Sequence, residues 1–249
     1  MRLYLGEHWL VMAGPALNAE HHSHHAAQWS FVREGVIITE SSERDRVSAQ
    51  GVFIPPGYQH SCVTVNHVVM VYWEPEHSAF QECSLRQQGQ RVIPVVYPLE
   101  WVETLTSNHA KELALRCVDA APERMNWDQA SSIDPRVLQI QSWVRRNLSQ
   151  AISLEQAASE VHVSAAHLAR LLRSQCGTTF RAFVRWARLR AAVESALAGS
   201  SLTAAAHDAG FSDSAHFSRT FRSMFGVTPQ FLFGHRENLT IEIINDRKD

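Results

Sequence analysis

Two rhythms of apolar and polar residues divide the chain. From residue 1 to about 98, apolar residues come in short β-branched and aromatic runs: Trp29–Thr39 (WSFVREGVIIT), Gly51–Pro55 (GVFIP) and Val63–Trp73 (VTVNHVVMVYW). Glycine, proline or charge breaks these runs, which predicts strands and turns. EHSAF and SLRQQGQRVIPVVYP continue the pattern more weakly, and no long helix is expected in this stretch. From Asp134 onward the apolar positions recur every three or four residues, which predicts amphipathic helices. Asp134 and Pro135 open the first, with Val137, Ile140, Val144 and Leu148 inward and Arg145 and Arg146 beside them.

The helical region contains the same segment twice. SLEQAASEVHVSAAHLARLLRSQCGTTF begins at Ser153 and SLTAAAHDAGFSDSAHFSRTFRSMFGVTP at Ser201. Ser153 and Ala157 match Ser201 and Ala205 at an offset of 48; His167, Arg170, Arg173 and Gly177 match His216, Arg219, Arg222 and Gly226 at 49. Each copy reads as helix, tight turn, helix. Ser153, Ser164 and Ser212 are expected N-caps, and His162 occupies the turn position that Gly210 fills in the second copy. Leu168 and Leu172 in the first copy, and Phe217, Phe221 and Phe225 in the second, repeat every four residues and belong to a core. The opposite faces carry Ala165, Ala166, Ala169, Arg170 and Arg173, and Ser214, Ala215, His216, Ser218, Arg219 and Arg222. A long helix, TFRAFVRWARLRAAVESALAG, is expected from a cap at Thr178 to Gly199. Such a helix spans about 30 Å, close to the roughly 34 Å of one DNA turn.

Charge sharpens this picture. The net charge of −2 over 249 residues hides an asymmetry. Residues 1–135 sum to −7, residues 136–236 to +7 with 12 Arg and no Lys, and the last 13 residues to −2. Only the repeated half carries an anion-seeking field. Arg170 and Arg219 are candidate base contacts and Arg173 a candidate phosphate contact. Ala166 and Ala169 can offer only apolar contact, as to a thymine methyl. No apolar run approaches the roughly 18 residues of a membrane span, and the N-terminus lacks the pattern of a signal peptide. Cys62, Cys83, Cys117 and Cys176 show no metal or redox spacing and read as free thiols of a reducing cytoplasm.

Between the halves, Leu99, Val102 and Leu105 form a helical stripe, followed by Leu113, Leu115 and Cys117. Residues 99–132 are expected to form a helical dimerisation segment ending in a linker, Ala120–Ser132; covering the chain's own strands is the other use for them. The tail, 237–249, is charged, and its LTIEII run has no assigned purpose.

The strand region also holds HHSHHAAQ, His21–Gln28. His22 and His24 are two apart, so on a strand they share a face and can converge on one divalent metal with His60, which follows the PPGYQH turn. Three readings stay open for His22, His24, Gln28 and His60: a metal site, a metal-free polar lining for a small effector, or a structural histidine run. His21 and His25 leave by the other face.

These residues resemble known patterns. Ala209–Arg222 (AGFSDSAHFSRTFR) with Phe225–Pro229 (FGVTP) resembles the signature of AraC/XylS-type transcriptional regulators, over about residues 134–236. His22-x-His24-x3-Gln28-x6-Gly35, with Pro55, Gly57 and His60, resembles the two cupin motifs. The resemblance implies a two-domain α+β chain: an N-terminal cupin-like β-barrel (jelly roll) for effector binding over 1–98, and an all-α DNA-binding domain over 133–236 with two helix-turn-helix units joined by a long helix. It further implies a non-enzymatic cytoplasmic regulator, commonly an activator, that binds double-stranded promoter DNA. A small-molecule effector, a homodimer and RNA polymerase contact belong to the same picture. Two alternatives remain: a metal-dependent cupin enzyme with a DNA-binding tail, and a ligand-independent architectural dimer.

Overall fold

The computed structural model describes residues 2–41, 46–76, 92–95, 133–233 and 240–243. The expected dimerisation segment and linker, 99–132, lie outside the described residues, as do EHSAF apart from Glu76, and Cys83 and Cys117.

The N-terminal region is two open sheets. β2 (Trp9–Gly14), β4 (Ala27–Val32), β7 (Gly51–Ile54) and β9 (Val68–Trp73) form the centre of the larger one, in the order β10-β7-β4-β9-β2-β1-β11. β1 (Arg2–Leu5) and β10 (Ile93–Pro94) lie further out. The smaller sheet runs β3-β8-β5-β6, from β3 (Asn18–His22), β8 (His60–Thr64), β5 (Ile37–Ser41) and β6 (Arg46–Ala49). The cupin-like barrel or jelly roll expected from the histidine motifs is therefore overturned, because among the described residues neither sheet closes. The edge of β3 shows why. Its amides bond a helix instead of a closing strand: Glu20 N donates to Gly226 O at 3.0 Å, and just beyond the strand Ser23 N donates to Ser223 O at 3.2 Å. The outer edge of the larger sheet is lengthened by the tail. Within its LTIEII run, β11 (Thr240–Ile243) pairs in parallel with β1, Arg2 opposite Thr240, which gives that run a purpose the sequence did not disclose.

Seven helices are described in the C-terminal region: α1 (Pro135–Arg146), α2 (Leu154–Glu160), α3 (Ala165–Cys176), α4 (Phe180–Leu197), α5 (Leu202–Asp208), α6 (Ser214–Phe225) and α7 (Pro229–Phe233). Asp134, Ser153 and Ser164 cap as expected, Ser153 in a reciprocal box with Gln156. Two caps fall one residue later than read. Thr179, not Thr178, accepts Ala182 N, since Thr178 is buried. Asp213, not Ser212, accepts His216 N at 2.6 Å, because its carboxylate is the stronger acceptor; the Ser212 hydroxyl bonds that carboxylate instead.

Two cores result. The first helix-turn-helix unit packs α1, α2, α3 and the start of α4 around Ile140, Leu168 and Leu172. The second unit shares one continuous core with the sheets, joining Phe217, Phe221 and Phe225 to Leu3, Met12 and Tyr72. The equivalent turns of the two units both adopt positive φ, 55° at His162 and 83° at Gly210. At Gly210 a Cβ would stand 2.1 Å from Leu148 O, so the turn needs both the conformation and the space. Replacing Gly210 with alanine is expected to lower stability by at least about 2 kcal/mol, read as a fall in the urea midpoint.

Candidate nucleic-acid interface and the seam behind it

The helix packing settles which faces are free. On α3, Leu168 and Leu172 are buried; Ala166, Arg170 and Arg173 are exposed and Ala169 is half-buried. On α6, Phe217, Phe221 and Phe225 are buried; Ser214, Ala215, Ser218, Arg219 and Arg222 are exposed. His216 is half-buried, its ring edge-on to Phe211 at 5.3 Å and its Nδ1 3.2 Å from the Ser212 hydroxyl, so it supports the turn as well as flanking the free face. Arg222 already has a partner: its Nε donates to Glu20 Oε2 at 3.0 Å and its Nη2 to Glu20 Oε1, an exposed pair that joins α6 to β3. The linking helix α4 has 18 residues, about 27 Å at 1.5 Å per residue.

Behind this interface runs a polar seam between sheets and helices. Its centre is Glu74, immediately after β9 and 3% exposed. Oε1 accepts from Trp186 Nε1 (3.1 Å) and Arg190 Nη1 (3.2 Å); Oε2 accepts from Gln141 Nε2 (2.8 Å) and Arg145 Nη2 (2.9 Å) and lies 3.1 Å from His8 Nδ1. One carboxylate thus ties α1, α4 and the β1–β2 turn together. Arg190, itself buried, also holds Glu194 and the Gly6 carbonyl. Burial alone would raise the Glu74 carboxyl, but the Arg190 charge, the His8 hydrogen bond and the Arg145 charge overcome it and hold it well below the usual carboxylate range. Nearby His25, beyond the end of β3, bonds both oxygens of buried Glu76 at 2.9 and 3.0 Å and packs its ring against Phe183. Sequence reasoning missed both glutamates. The one signal was an acidic pair, Glu74 and Glu76, directly after six apolar strand residues.

The histidines His22, His24 and His60 come together. His22 and His60 are opposite one another in the β3–β8 pair, with ring centroids 4.2 Å apart; His24 lies 5.7 Å from His22 and 5.2 Å from His60. All three are buried, which removes the solvent-exposed version of the structural reading. Burial, then the neighbouring ring charges, pushes His22 down to about 3 and His60 well below its ordinary value; burial pushes His24 down to about 4. All three rings are therefore neutral at physiological pH. Gln28 supports His24, with Oε1 2.7 Å from its Nε2, and its own amide bonds Ser30. Cys62 and Cys176 are buried free thiols, and burial pushes Cys62 up to about 12, away from thiolate chemistry. Among the described residues, no helix is long and apolar enough to cross a membrane.

Two capped helix-turn-helix units on one connecting helix, with arginine on both outward faces, define a DNA-binding module. Comparison with known proteins agrees. A family profile described as "Helix-turn-helix domain" matches residues 157–233. The chain is 33% identical over 89 residues to the uncharacterized HTH-type transcriptional regulator YpdC of Escherichia coli, covering 35% of this chain and 31% of that protein. It is 28% identical over 146 residues to the HTH-type transcriptional activator RhaS of Klebsiella pneumoniae, covering 57% and 52%. The matches thus span about a third to a half of the length of these two relatives. Among solved structures, the apo form of a single-residue variant of ToxT from Vibrio cholerae shares the fold across 92% of this chain and 97% of that one, with a TM-score of 0.62 and 13% identity. A wild-type ToxT structure described as bound to an unsaturated fatty acid aligns similarly, with a TM-score of 0.62 and 13% identity over 90% and 94%. The helical region thus carries a helix-turn-helix domain similar to those of HTH-type transcriptional regulators, a likeness that supports a DNA-binding regulatory role.

Removing the Glu74 charge by Glu74→Gln takes away the carboxylate that buried Arg190 and part-buried Arg145 share. The cost is expected to be about 3–5 kcal/mol, measured by urea unfolding. Because the folded pKa is depressed, the stabilisation from Glu74 is complete above about pH 4.3 and drains away as pH falls below it. The Glu74→Gln chain should therefore lose less stability between pH 6 and pH 3 than the wild type does.

Proposed function

We propose that this chain is a sequence-specific transcriptional regulator of the AraC type that reads two successive major-groove segments of promoter DNA with α3 and α6. The observation that carries this reading is the pair of equivalent exposed arginine faces, Arg170 and Arg173 on α3 and Arg219 and Arg222 on α6, set on opposite ends of α4. Arg170 and Arg219 take base edges and Arg173 takes phosphate, while Ala166, Ala169 and Ala215 allow close approach and apolar contact with thymine methyls. Ser214 and His216, at the start of α6, complete the second contact set. Arg222 joins it once Glu20 releases its guanidinium.

Regulation then acts through the seam. A small effector that binds one arrangement of sheets and helices more tightly than another shifts the population between them. The likeness to ToxT, one structure of which holds a small apolar acid, supports an effector of low molecular mass without specifying it. The chain acts in the cytoplasm as a homodimer that contacts RNA polymerase, and the likeness to an activator favours activation.

Arg219→Ala and Arg170→Ala should each weaken operator binding by about 1–3 kcal/mol in mobility-shift titrations at fixed salt, with binding to random duplex little changed. An unaltered operator affinity refutes the corresponding contact. Glu20→Gln, which frees Arg222, should tighten binding to all duplexes a few-fold and steepen its salt dependence; unchanged affinity and slope would remove Arg222 from the interface.

A further inference from the structure

We propose that His22, His24 and His60 form a binding site for one divalent transition-metal ion, and that loading it braces the segment on which α6 rests. One ring nitrogen from each residue lies within 4.8 Å of those of the other two. The backbone fixes which nitrogen is free. Each Nδ1 faces a main-chain carbonyl: Glu20 O at 2.7 Å from His22, Ala26 O at 2.6 Å from His24 and Tyr58 O at 2.9 Å from His60. A neutral imidazole donates once, so with Nδ1 donating, the lone pair of each ring sits on Nε2. This is the outer-shell arrangement that orients histidine toward a metal.

Two atoms in the cluster are left without a proper partner by protein groups alone. His60 Nε2 is fully buried and has no hydrogen-bond partner. His24 has an oxygen at each nitrogen, Ala26 O and Gln28 Oε1, and a neutral ring can donate to only one of them. Turning the Gln28 amide over would answer His24 and leave His60 unanswered. A cation held by Nε2 of all three rings answers both, with the Gln28 amide oxygen beside it, 2.7 Å from His24 Nε2. The donor set is imidazole with an amide oxygen, which suits zinc, cobalt, nickel or copper and not magnesium or calcium.

The position of the site gives loading a consequence. The segment that carries His22 and His24 is the one whose Glu20 and Ser23 amides bond the end of α6. Gly226 lies so close to β3 that a Cβ there would be 2.6 Å from Glu20 O. The His60 turn is joined to the same segment by Gly57 N donating to His24 O at 2.8 Å. An ion that binds the three rings together therefore stiffens the platform under the helix that carries Arg219 and Arg222. The effect on DNA rests on the regulatory reading above; the binding itself does not.

The test is titration of the full-length, tag-free chain with Co²⁺ followed by visible absorption, and with Zn²⁺ by calorimetry. Saturation at one ion per chain is expected, with at least tenfold weaker binding in His60→Ala and in His24→Ala, each checked for folding by circular dichroism. His21→Ala, which alters the exposed neighbour, should bind as the wild type does. No saturable binding by the wild-type chain, or undiminished binding by His60→Ala, overturns the site. Hydrogen exchange at the Glu20 and Ser23 amides should slow when Zn²⁺ is bound; exchange unchanged at saturation overturns the bracing.

Discussion

The arrangement of this molecule depends on one buried carboxylate. Glu74 ends the central strand of the larger sheet, and its two oxygens take partners from α1, α4 and the β1–β2 turn. Removing a carboxylate from water is costly, and only several charged or polar donors at once offset the cost. Glu74 with its full set of donors holds sheets and helices in one orientation, and loss of part of that set leaves the buried charge less well balanced.

The second helix-turn-helix unit is joined to the sheets far more intimately than the first. The first unit has its own core and touches the sheets mainly through polar groups of α1 and the close approach of Gly57 to Gly177. The second unit shares its core with the strands, and the end of α6 takes the place beside β3 that a closing strand would occupy. The same edge that stops the smaller sheet from closing therefore anchors α6. Glu20 on that edge engages Arg222, and the buried histidines begin two residues further on. The sheet edge, the Arg222 pairing and the first two histidines of the cluster meet on a stretch of five residues, 20–24.

Much of the helical half was legible because its determinants are local. A cap, an apolar face and a left-handed turn are each specified within a few residues, and the repetition of the segment at an offset of 48–49 lets one copy check the other. The equivalence of His162 with Gly210 was visible for this reason, as were the outward positions of Arg170 and Arg219. The misplaced caps at Thr178 and Ser212 are single-residue errors between adjacent acceptors, settled by which side chain was buried and which oxygen was the stronger base. His22, His24 and His60 do converge, but not through strand alternation: His22 sits opposite His60 in the β3–β8 pair, and His24 lies in the segment after β3. The cupin motif that pointed to them, however, did not carry a closed barrel with it.

By itself, then, the chain's order of residues determined that there are strands followed by two related helical pairs, which surfaces of those helices are apolar, and that the positive charge belongs to the helical half. Tertiary structure alone decided that the sheets remain open, that the LTIEII run extends the larger one through β11, that Glu74 and Glu76 are interior rather than solvated, and that Arg222 is paired. The physical reason is distance along the chain. Glu74 meets Arg190 across 116 residues and Glu20 meets Arg222 across 202, and no local pattern records which remote group will arrive to neutralise a charge or complete an edge.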